Sequence, residues 1–446
     1  MSDLRIAITN RQILAIALPI SFSILIPQIN FVTNNIFLGG LGEESLATAG
    51  VTGVYYLIFA VLGAGLNNGL QALIARRAGE NRVEEIGKLF TQGVIVSLGI
   101  AAFGILFTWF VAPSILRAVI HDAVLHEKAI SFLRIRIWGL PFLYIYQMRN
   151  ALLVGTNQSR YLIAGTLAES LFNIFFDYGL IYGKMGLPEI GFNGAAIASI
   201  IAEFMGMFVV FAVIHYKGIS HQLHLYKGMK FDKTNTRLLL VQSSPLIFQY
   251  AISIISWEFF YILIEHHGAR DLAISNTMRN IFGMFGVFTW AFAATANTMV
   301  SNVIGQNMQD RVMELIRKIV KLSAGIATII CILLNIFPQI FLSVFGQGED
   351  FVREAIPVVR IVSLALVLMS FGTVWLNSVT GTGNTKINLM IEVLAITLYS
   401  LYAWIVLEKL KLPITYGWMS EWIYWSIMFT CSFLYMRSGR WKNKKI

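Results

Sequence analysis

Three polar side chains recur every four residues within one apolar run of the sequence. Glu169, Asn173 and Asp177 lie in the segment ESLFNIFFDYGLIYG, and a spacing of four residues places them on one face of an α-helix. An ionisable side chain inside a membrane-spanning helix costs roughly 2.5–3.5 kcal/mol on insertion scales, so each one requires a reason. A carboxylate beside amide oxygens suits either Na⁺, a hard cation that needs several oxygen ligands, or a titrating proton.

Polar residues of two other predicted spans reach the depth of Asp177. Asp177 lies about five residues, or ~7 Å at 1.5 Å per residue, below the outer end of the fifth span. Asn30 and Asn34 in the first span and Ser199 in the sixth come to a similar level. The sequence therefore predicts a cation-coupling site at this level, and the alternative is a structural hydrogen-bonded patch between three helices. The predicted site consists of Asp177, Asn173, Asn34, Glu169 and Ser199.

The second half of the chain has its own ionisable candidates. Glu258 in the seventh span and Arg279 in the eighth each lie about seven residues below the outer end, ~10 Å, so the two can pair and neutralise each other. Such a pair fits a coupling role and a purely structural role equally well. Glu203 and Glu392 are expected only to satisfy neighbouring groups. Methionine side chains adapt to varied organic ligands, although ordinary apolar packing also explains the methionines of this region. The candidates for a substrate cavity are Gln28, Asn30 and Met284.

The sequence contains no pattern that indicates an enzyme or a metal centre. It has no G-x-x-x-x-G-K-[ST] loop for nucleotide phosphates, no paired catalytic carboxylates and no nucleophile with an adjacent base. Glu265, His266 and His267 fall at the end of a predicted helix without further ligands, so a solvated loop is expected there. We therefore expect no catalytic residue, no bound metal and no cofactor. A gradient of Na⁺ or H⁺, as the coupling ion, is the expected energy source.

Composition indicates a protein embedded in a lipid bilayer. Of the 446 residues, 57% are hydrophobic and 13% are charged, whereas soluble proteins carry about 25% charged residues. A membrane-spanning helix needs roughly 20 apolar residues. The predicted fold class is therefore an all-α integral membrane protein with twelve transmembrane helices. The predicted spans are 13–37, 46–75, 90–112, 130–154, 161–182, 194–215, 238–265, 272–304, 316–345, 355–379, 387–407 and 414–436.

The distribution of Lys and Arg predicts the orientation of the chain in the membrane. The side that holds both chain ends and the even-numbered connections carries 22 Lys and Arg, and the odd-numbered connections carry 7. Basic residues concentrate on the cytoplasmic side of membrane proteins. Both termini and the connection 216–237 are therefore expected in the cytoplasm. The net charge of +10 then reflects cytoplasmic loops and not nucleic-acid binding.

Several features of the first half recur in the second half at one fixed offset in the numbering. Since six spans separate the matched features, both halves enter the membrane in the same direction and form a parallel repeat, which places a substrate site between the halves. The predicted domains are a first six-helix lobe over 1–215, an inter-lobe connection over 216–237 and a second six-helix lobe over 238–446. The matched pairs include Arg11 with Arg237, Pro19 with Pro245, Gly42 with Gly268, Gly79 with Gly305, and Arg134 with Arg360.

Several segments resemble the multidrug and toxic compound extrusion (MATE) transporters. The likeness is specific over 155–199, GTNQSRYLIAGTLAESLFNIFFDYGLIYGKMGLPEIGFNGAAIAS, and extends to IALPI (16–20), FLGGLGEESLA (37–47) and GTGNTK (381–386). The resemblance implies a V-shaped transporter that alternates between inward-open and outward-open states. It also implies export of bulky, often cationic organic compounds in exchange for Na⁺ or H⁺.

The resemblance also assigns roles to individual residues. Asn173 and Asp177 match the family's cation site in the amino-terminal lobe, and Ser199 stands where members often have threonine. The chain has Asn34 where members usually carry an acid in the first helix. Ser253 aligns with a helix 7 glutamate of the norfloxacin exporters, whose helix 10 carboxylate has no counterpart here. These departures leave the identity and number of the coupling ions open.

Two other classes of membrane protein fit parts of the sequence. A flippase for a lipid-linked oligosaccharide or polyprenyl phosphate shares the two-lobed architecture and needs a cationic cavity. An integral-membrane enzyme would need catalytic groups that this sequence does not contain. The expected partners are small organic substrates and the lipid bilayer, with no nucleic acid, and the expected form is a monomer in the cytoplasmic (inner) membrane. The arginines available to a flippase are Arg134, Arg136, Arg149, Arg279 and Arg360.

Overall fold

Twelve long helices, α1 to α12, follow one another along the chain in the computed structural model, which describes residues 4–120, 122–226, 230–345, 348–444 and 446. In the first half they are α1 (Asn10–Gly39), α2 (Glu43–Gly79), α3 (Val83–Phe110), α4 (Ala123–Arg136 and Leu140–Gly155), α5 (Leu162–Tyr182) and α6 (Phe192–Tyr216). In the second half they are α7 (Lys233–Glu265), α8 (Ala269–Gly305), α9 (Val312–Ile336), α10 (Glu349–Gly381), α11 (Thr385–Ala403) and α12 (Ser420–Arg437). Each helix overlaps one predicted span, and the described residues include no β-strand. The predicted all-α class with twelve helices is confirmed.

The helices form because an apolar chain in lipid must satisfy its backbone hydrogen bonds within itself. Nine helices of the described residues are long and apolar enough to cross a membrane on length and composition alone. The other three predicted spans fall on α4, α5 and α12. In α5 the buried polar residues Asn173 and Asp177 interrupt a largely apolar sequence.

The middle of α4 is interrupted at the level of a buried ion pair. A 3₁₀ turn, Ile137–Gly139, separates its two α-helical segments, and a proline lies in the first turn of the second one. Proline has no backbone N–H to continue the helical ladder. A Cβ at Gly139 would collide with the side chains of Glu203 and Arg136. The interruption and the glycine together make room for these two charged groups.

The described chain divides into two compact units, and the division falls inside α1 and inside α7, close to Pro19 and Pro245. The predicted lobes 1–215 and 238–446 stay a prediction. Unit 1 contains Phe22–Ser243, and unit 2 contains Leu4–Ser21 and Ser244–Ile446.

Close packing of α5 on α6 orients the polar face of α5 in unit 1. A Cβ added at Gly206 of α6 would lie 2.9 Å from the Cβ of Glu169. Small residues let membrane helices approach backbone to backbone. In this arrangement Asn173 and Asp177 are buried, whereas Leu171 on the opposite face is exposed.

In unit 2 the segment before α1 is fixed to α8 and α9 by its backbone. The Ile6 N–H donates to Asn302 Oδ1 at 3.1 Å, and Asn302 Nδ2 donates to the Leu4 carbonyl at 3.1 Å. Lys318 Nζ donates to the Ile8 carbonyl at 3.2 Å. Since Asn302 is fully buried, these bonds satisfy backbone groups that have little access to water.

Candidate functional site

Helices α1 and α5 contact each other in a constant register. Asn30 Nδ2 donates to Asn173 Oδ1 at 2.7 Å, across a sequence separation of 143 residues. Further along, Tyr182 donates its hydroxyl to the Phe37 carbonyl at 2.6 Å, across a separation of 145 residues. The Phe37 ring also lies 6.1 Å from the Tyr178 ring, centroid to centroid. These contacts hold the two helices side by side in the same direction.

This register places Asn34 level with Asp177. Asn34 follows Asn30 by one helical turn on α1, and Asp177 follows Asn173 by one helical turn on α5. Asp177 is 1% exposed. In the described part of the chain, both of its carboxylate oxygens are buried without a hydrogen-bond partner, and so are the side-chain carbonyl oxygens of Asn30 and Asn34. An ionised carboxylate in such surroundings is costly unless a proton or a cation joins it.

Two further members of the predicted site, Glu169 and Ser199, are not joined to this group. Both are half-buried. Glu169 faces α6, where its Oε2 would lie 3.2 Å from a Cβ added at Gly206. No hydrogen bond found among the described residues links Glu169 or Ser199 to Asp177. Their coupling roles stay a prediction.

A buried ion pair that the sequence did not predict joins α4 to α6. Arg136 on α4 donates to both oxygens of Glu203 on α6, at 2.8 and 2.5 Å. The Tyr56 hydroxyl donates to the same carboxylate at 3.1 Å, and the Arg136 guanidinium lies 3.8 Å from the Tyr56 ring centroid. The hydrogen bonds of the Arg136 guanidinium thus go to Glu203. Glu203 satisfies a neighbouring group, as expected from the sequence, but the sequence did not predict that this group is Arg136.

Other arginines considered for a cationic cavity also have local partners. Arg149 donates to the Met207 carbonyl at 2.5 Å and lies over the Phe211 ring. Arg134 lies over the Trp109 ring at 5.2 Å. With Arg136 paired to Glu203, unit 1 uses all three of its arginines from α4 in contacts with its own side chains and backbone.

The predicted Glu258–Arg279 pair is wrong. Both side chains are exposed, and no ion pair joins them among the residues that the structure describes. The Arg279 guanidinium instead lies 6.0 Å from the Trp257 ring and 5.7 Å from the Tyr261 ring. An arginine can be stabilised by aromatic faces without a carboxylate. Glu258 and Arg279 as second-lobe site residues stay a prediction.

The second unit buries a carboxylate for which the sequence analysis gave no specific role. Glu392 on α11 is fully buried. It accepts hydrogen bonds from Gln249 Nε2 at 3.1 Å, from Ser253 Oγ at 2.6 Å and from the Tyr424 hydroxyl at 2.5 Å. Asn388 Nδ2 donates to Gln249 Oε1 at 2.8 Å. Ser253 is the position at which the resemblance implies a glutamate, so a carboxylate reaches this place from α11.

The remaining predicted positions lie apart from these two clusters. Gln28 is half-buried, and Met284 is 49% exposed. Their assignment to a substrate cavity, with Asn30, stays a prediction. His266 Nδ1 contacts Glu408 at 2.9 Å, and His267 Nε2 contacts a backbone carbonyl. No group of three or more metal-ligating side chains occurs among the described residues.

Comparison with known proteins places this chain in a family. The MatE family model matches residues 19–179 and again 245–405. The two matches begin at Pro19 and Pro245, one of the predicted pairs, and so confirm the predicted repeat. The chain belongs to the MatE family and is a multi-pass membrane transporter.

The family match is supported by similar proteins along nearly the whole chain. A probable multidrug resistance protein NorM of Synechocystis sp. is 24% identical over 86% of this chain and 85% of its own length. A probable NorM of Thermotoga maritima is 21% identical over 98% of this chain and 94% of its own length. The solved structure of an outward-facing multidrug resistance MATE family transporter has the same fold, with a TM-score of 0.90 at 19% identity, over 98% of this chain and 96% of that one.

Proposed function

We propose that the chain is a secondary active antiporter that exports organic, often cationic compounds in exchange for Na⁺ or H⁺. The names of its relatives, multidrug resistance proteins NorM and MdtK, support this substrate class. The sequence contains no nucleotide-phosphate loop, so an ion gradient is the energy source that fits.

The main support for the proposal is the burial of the Asp177 carboxylate. Its two buried carboxylate oxygens have no hydrogen-bond partner in the described part of the chain, beside the similarly unpartnered oxygens of Asn30 and Asn34. Protein oxygens of this kind bind a hard cation, and a carboxylate alone binds a proton. An ion drives a conformational change when it binds two conformations with unequal affinity. In this proposal Asp177 binds the coupling ion, and Asn173, held by Asn30, positions the helix that carries it.

The local contacts of Arg136 and Arg149 favour the exporter over the lipid-linked anion flippase. A flippase of that kind needs cationic side chains free to bind a phosphate. Arg136 is committed to Glu203, and Arg149 to a backbone carbonyl. We propose further that the protein resides in the cytoplasmic membrane as a monomer, with both termini in the cytoplasm.

The test is efflux of ethidium, a lipophilic cation, from proteoliposomes under an imposed Na⁺ or pH gradient. Asp177→Asn keeps the size of the side chain but removes the charge and the titratable group. We expect that variant to insert and fold but to lose gradient-driven efflux under whichever gradient drives the wild type. Asp350→Asn is the matched control, because Asp350 is exposed and pairs only with Arg353 one turn away. Undiminished efflux by Asp177→Asn would overturn the assignment.

A further inference from the structure

The second unit repeats, on an equivalent helix, the amide and carboxylate spacing of the first. Asn173 and Asp177 stand four residues apart on α5, and Asn388 and Glu392 stand four residues apart on α11. At the fixed offset of the sequence repeat, Asn173 corresponds to Tyr399. Asn388 comes before Tyr399 on the same helix. The interval from Asn388 to Tyr399 is about three turns of an α-helix, or ~16 Å. The second pair therefore lies on the equivalent face of its helix, but three turns nearer the end at which the helix begins.

The contact with the neighbouring helix is repeated as well. In unit 1 an amide of α1 bonds to an amide of α5, Asn30 to Asn173, at 2.7 Å. In unit 2 the equivalent helices are α7 and α11, and Asn388 bonds to Gln249 at 2.8 Å. Both units thus place a buried carboxylate one turn beyond an amide–amide contact between equivalent helices. The Asn388 carbonyl oxygen is itself buried and without a hydrogen-bond partner in the part of the chain that the structure describes.

No described Lys, Arg or His side chain pairs with Glu392. None of the ion pairs formed by described residues includes it. The titratable neighbours on α12 are Tyr424, which bonds to it, and Glu421, which bonds to Trp425. On α7 the nearest acid, Glu258, is exposed and lies more than one turn beyond Ser253. On α10, Leu376 belongs to an apolar cluster with Met428 and with Ile391, the residue before Glu392 in the chain. A carboxylate in these surroundings needs either a proton or a bound cation.

The hydroxyl groups around Glu392 favour a proton. The Ser253 hydroxyl lies 2.6 Å from Glu392 Oε1 and 2.9 Å from the Gln249 carbonyl oxygen, but it has one hydrogen and can donate to only one of them at a time. When Glu392 is ionised, Ser253 donates to it. When Glu392 is neutral, its own O–H can donate to Ser253, which then donates to the Gln249 carbonyl. A hydroxyl rotation therefore accommodates both protonation states.

The same contacts disfavour a metal ion at this place. Oε1 accepts from two hydroxyls and Oε2 from an amide, so a cation would have to displace hydrogen-bond donors that already use most of the carboxylate lone pairs. Na⁺ needs several oxygen lone pairs around it at once. This arrangement differs from that of Asp177, whose oxygens receive no such donors among the described residues.

We propose that Glu392 is a proton-binding site of the second unit, which takes a proton from water on one oxygen and returns it to water, with Ser253, Tyr424 and Gln249 holding both states. Its role in transport rests on the proposed antiport, but its protonation does not. Two ion sites at different levels of the two units then give the transporter one site suited to a cation or proton and a second suited to a proton alone.

The test is infrared difference spectroscopy of the whole protein in lipid nanodiscs, recorded between acidic and alkaline pH. We expect the wild type to show a carboxylic acid carbonyl band that appears on acidification and loses a component in Glu392→Gln. The matched control is Glu354→Gln, a surface acid paired with Arg270, which should leave the buried acid component unchanged. A Glu392→Gln spectrum equal to that of the wild type would overturn the proposal.

Two further arms keep the test decisive. If Glu392→Gln does not fold, Ser253→Ala removes only one hydroxyl partner and should shift the midpoint of the same component. An unshifted midpoint would contradict the network. Recording the titration in NaCl and in choline chloride separates proton from cation, because a midpoint that depends on Na⁺ would overturn a proton-only site. None of these spectra requires transport. Their outcome therefore does not depend on the result of the efflux experiment with Asp177→Asn.

Discussion

The ion pair between Arg136 and Glu203 gives the most quantitative prediction for stability. The side chains are 12% and 6% exposed, and two hydrogen bonds of 2.8 and 2.5 Å join them. Glu203→Gln would leave the guanidinium buried without a counter-charge, and breaking a buried pair from one side costs about 3–5 kcal/mol. Since 1.4 kcal/mol is a tenfold change, we expect the ratio of folded to unfolded protein to fall by a factor of roughly 10² to 4 × 10³.

The assay is equilibrium unfolding in mixed detergent micelles, followed by tryptophan fluorescence. The double variant Arg136→Met with Glu203→Met removes both charges, so it should cost clearly less than the sum of the two single variants. Glu354→Gln breaks a pair whose members are each 47% exposed, and it should cost no more than about 1 kcal/mol. Additive effects of the two methionine substitutions, or a cost for Glu203→Gln as small as that for Glu354→Gln, would refute the reasoning.

Three other predictions follow from the structure and the charge distribution. Asn302→Ala leaves two backbone groups of the segment before α1 unpaired, so we expect a loss of about 1–3 kcal/mol and faster proteolysis near the amino terminus, and an unchanged cleavage rate would contradict this. Single cysteines at Lys230 and Gly348, placed in a chain with both native cysteines replaced, should react with impermeant reagents from opposite sides of the membrane, and labelling from one side would break the twelve-helix topology. Asn34→Asp adds a carboxylate level with Asp177 and should retain transport while binding Na⁺ more tightly, whereas an unchanged Na⁺ affinity would show that Asn34 does not face the ion.

The fold was largely predictable because the length of an apolar span is a local property of the sequence. A run such as 272–304 must be helical in lipid whatever it contacts, and α8 occupies Ala269–Gly305. The shared face of Asn173 and Asp177 was equally predictable, since a spacing of four fixes it. The level of Asn34 beside Asp177 followed from depth alone.

The partners of the other charged residues were not predictable in this way. Depth gives the level of a side chain but not the direction in which it points around the helix axis. Glu258 and Arg279 share a level, yet both are exposed and do not pair. The three donors to Glu392 come from α7 and α12, and their selection depends on how three helices pack. The repeated spacing from Asn388 to Glu392 was the available signal, but it lies about three helical turns away from the place that the repeat offset matches to the first pair.

The most direct measurement of the role proposed for Asp177 is ion binding to the purified protein, without any substrate. Radioactive ²²Na⁺ binding is measured at equilibrium, and protons released on addition of NaCl are measured in weak buffer with a pH dye. For the wild type we expect saturable Na⁺ binding with proton release when the coupling ion is Na⁺, or a proton taken up on acidification when the ion is H⁺. Asp177→Asn should lose the Na⁺ signal, or take up one proton fewer than the wild type because Glu392 still titrates, and Asp350→Asn should behave as the wild type. Wild-type ion binding by Asp177→Asn would contradict the assignment of this site.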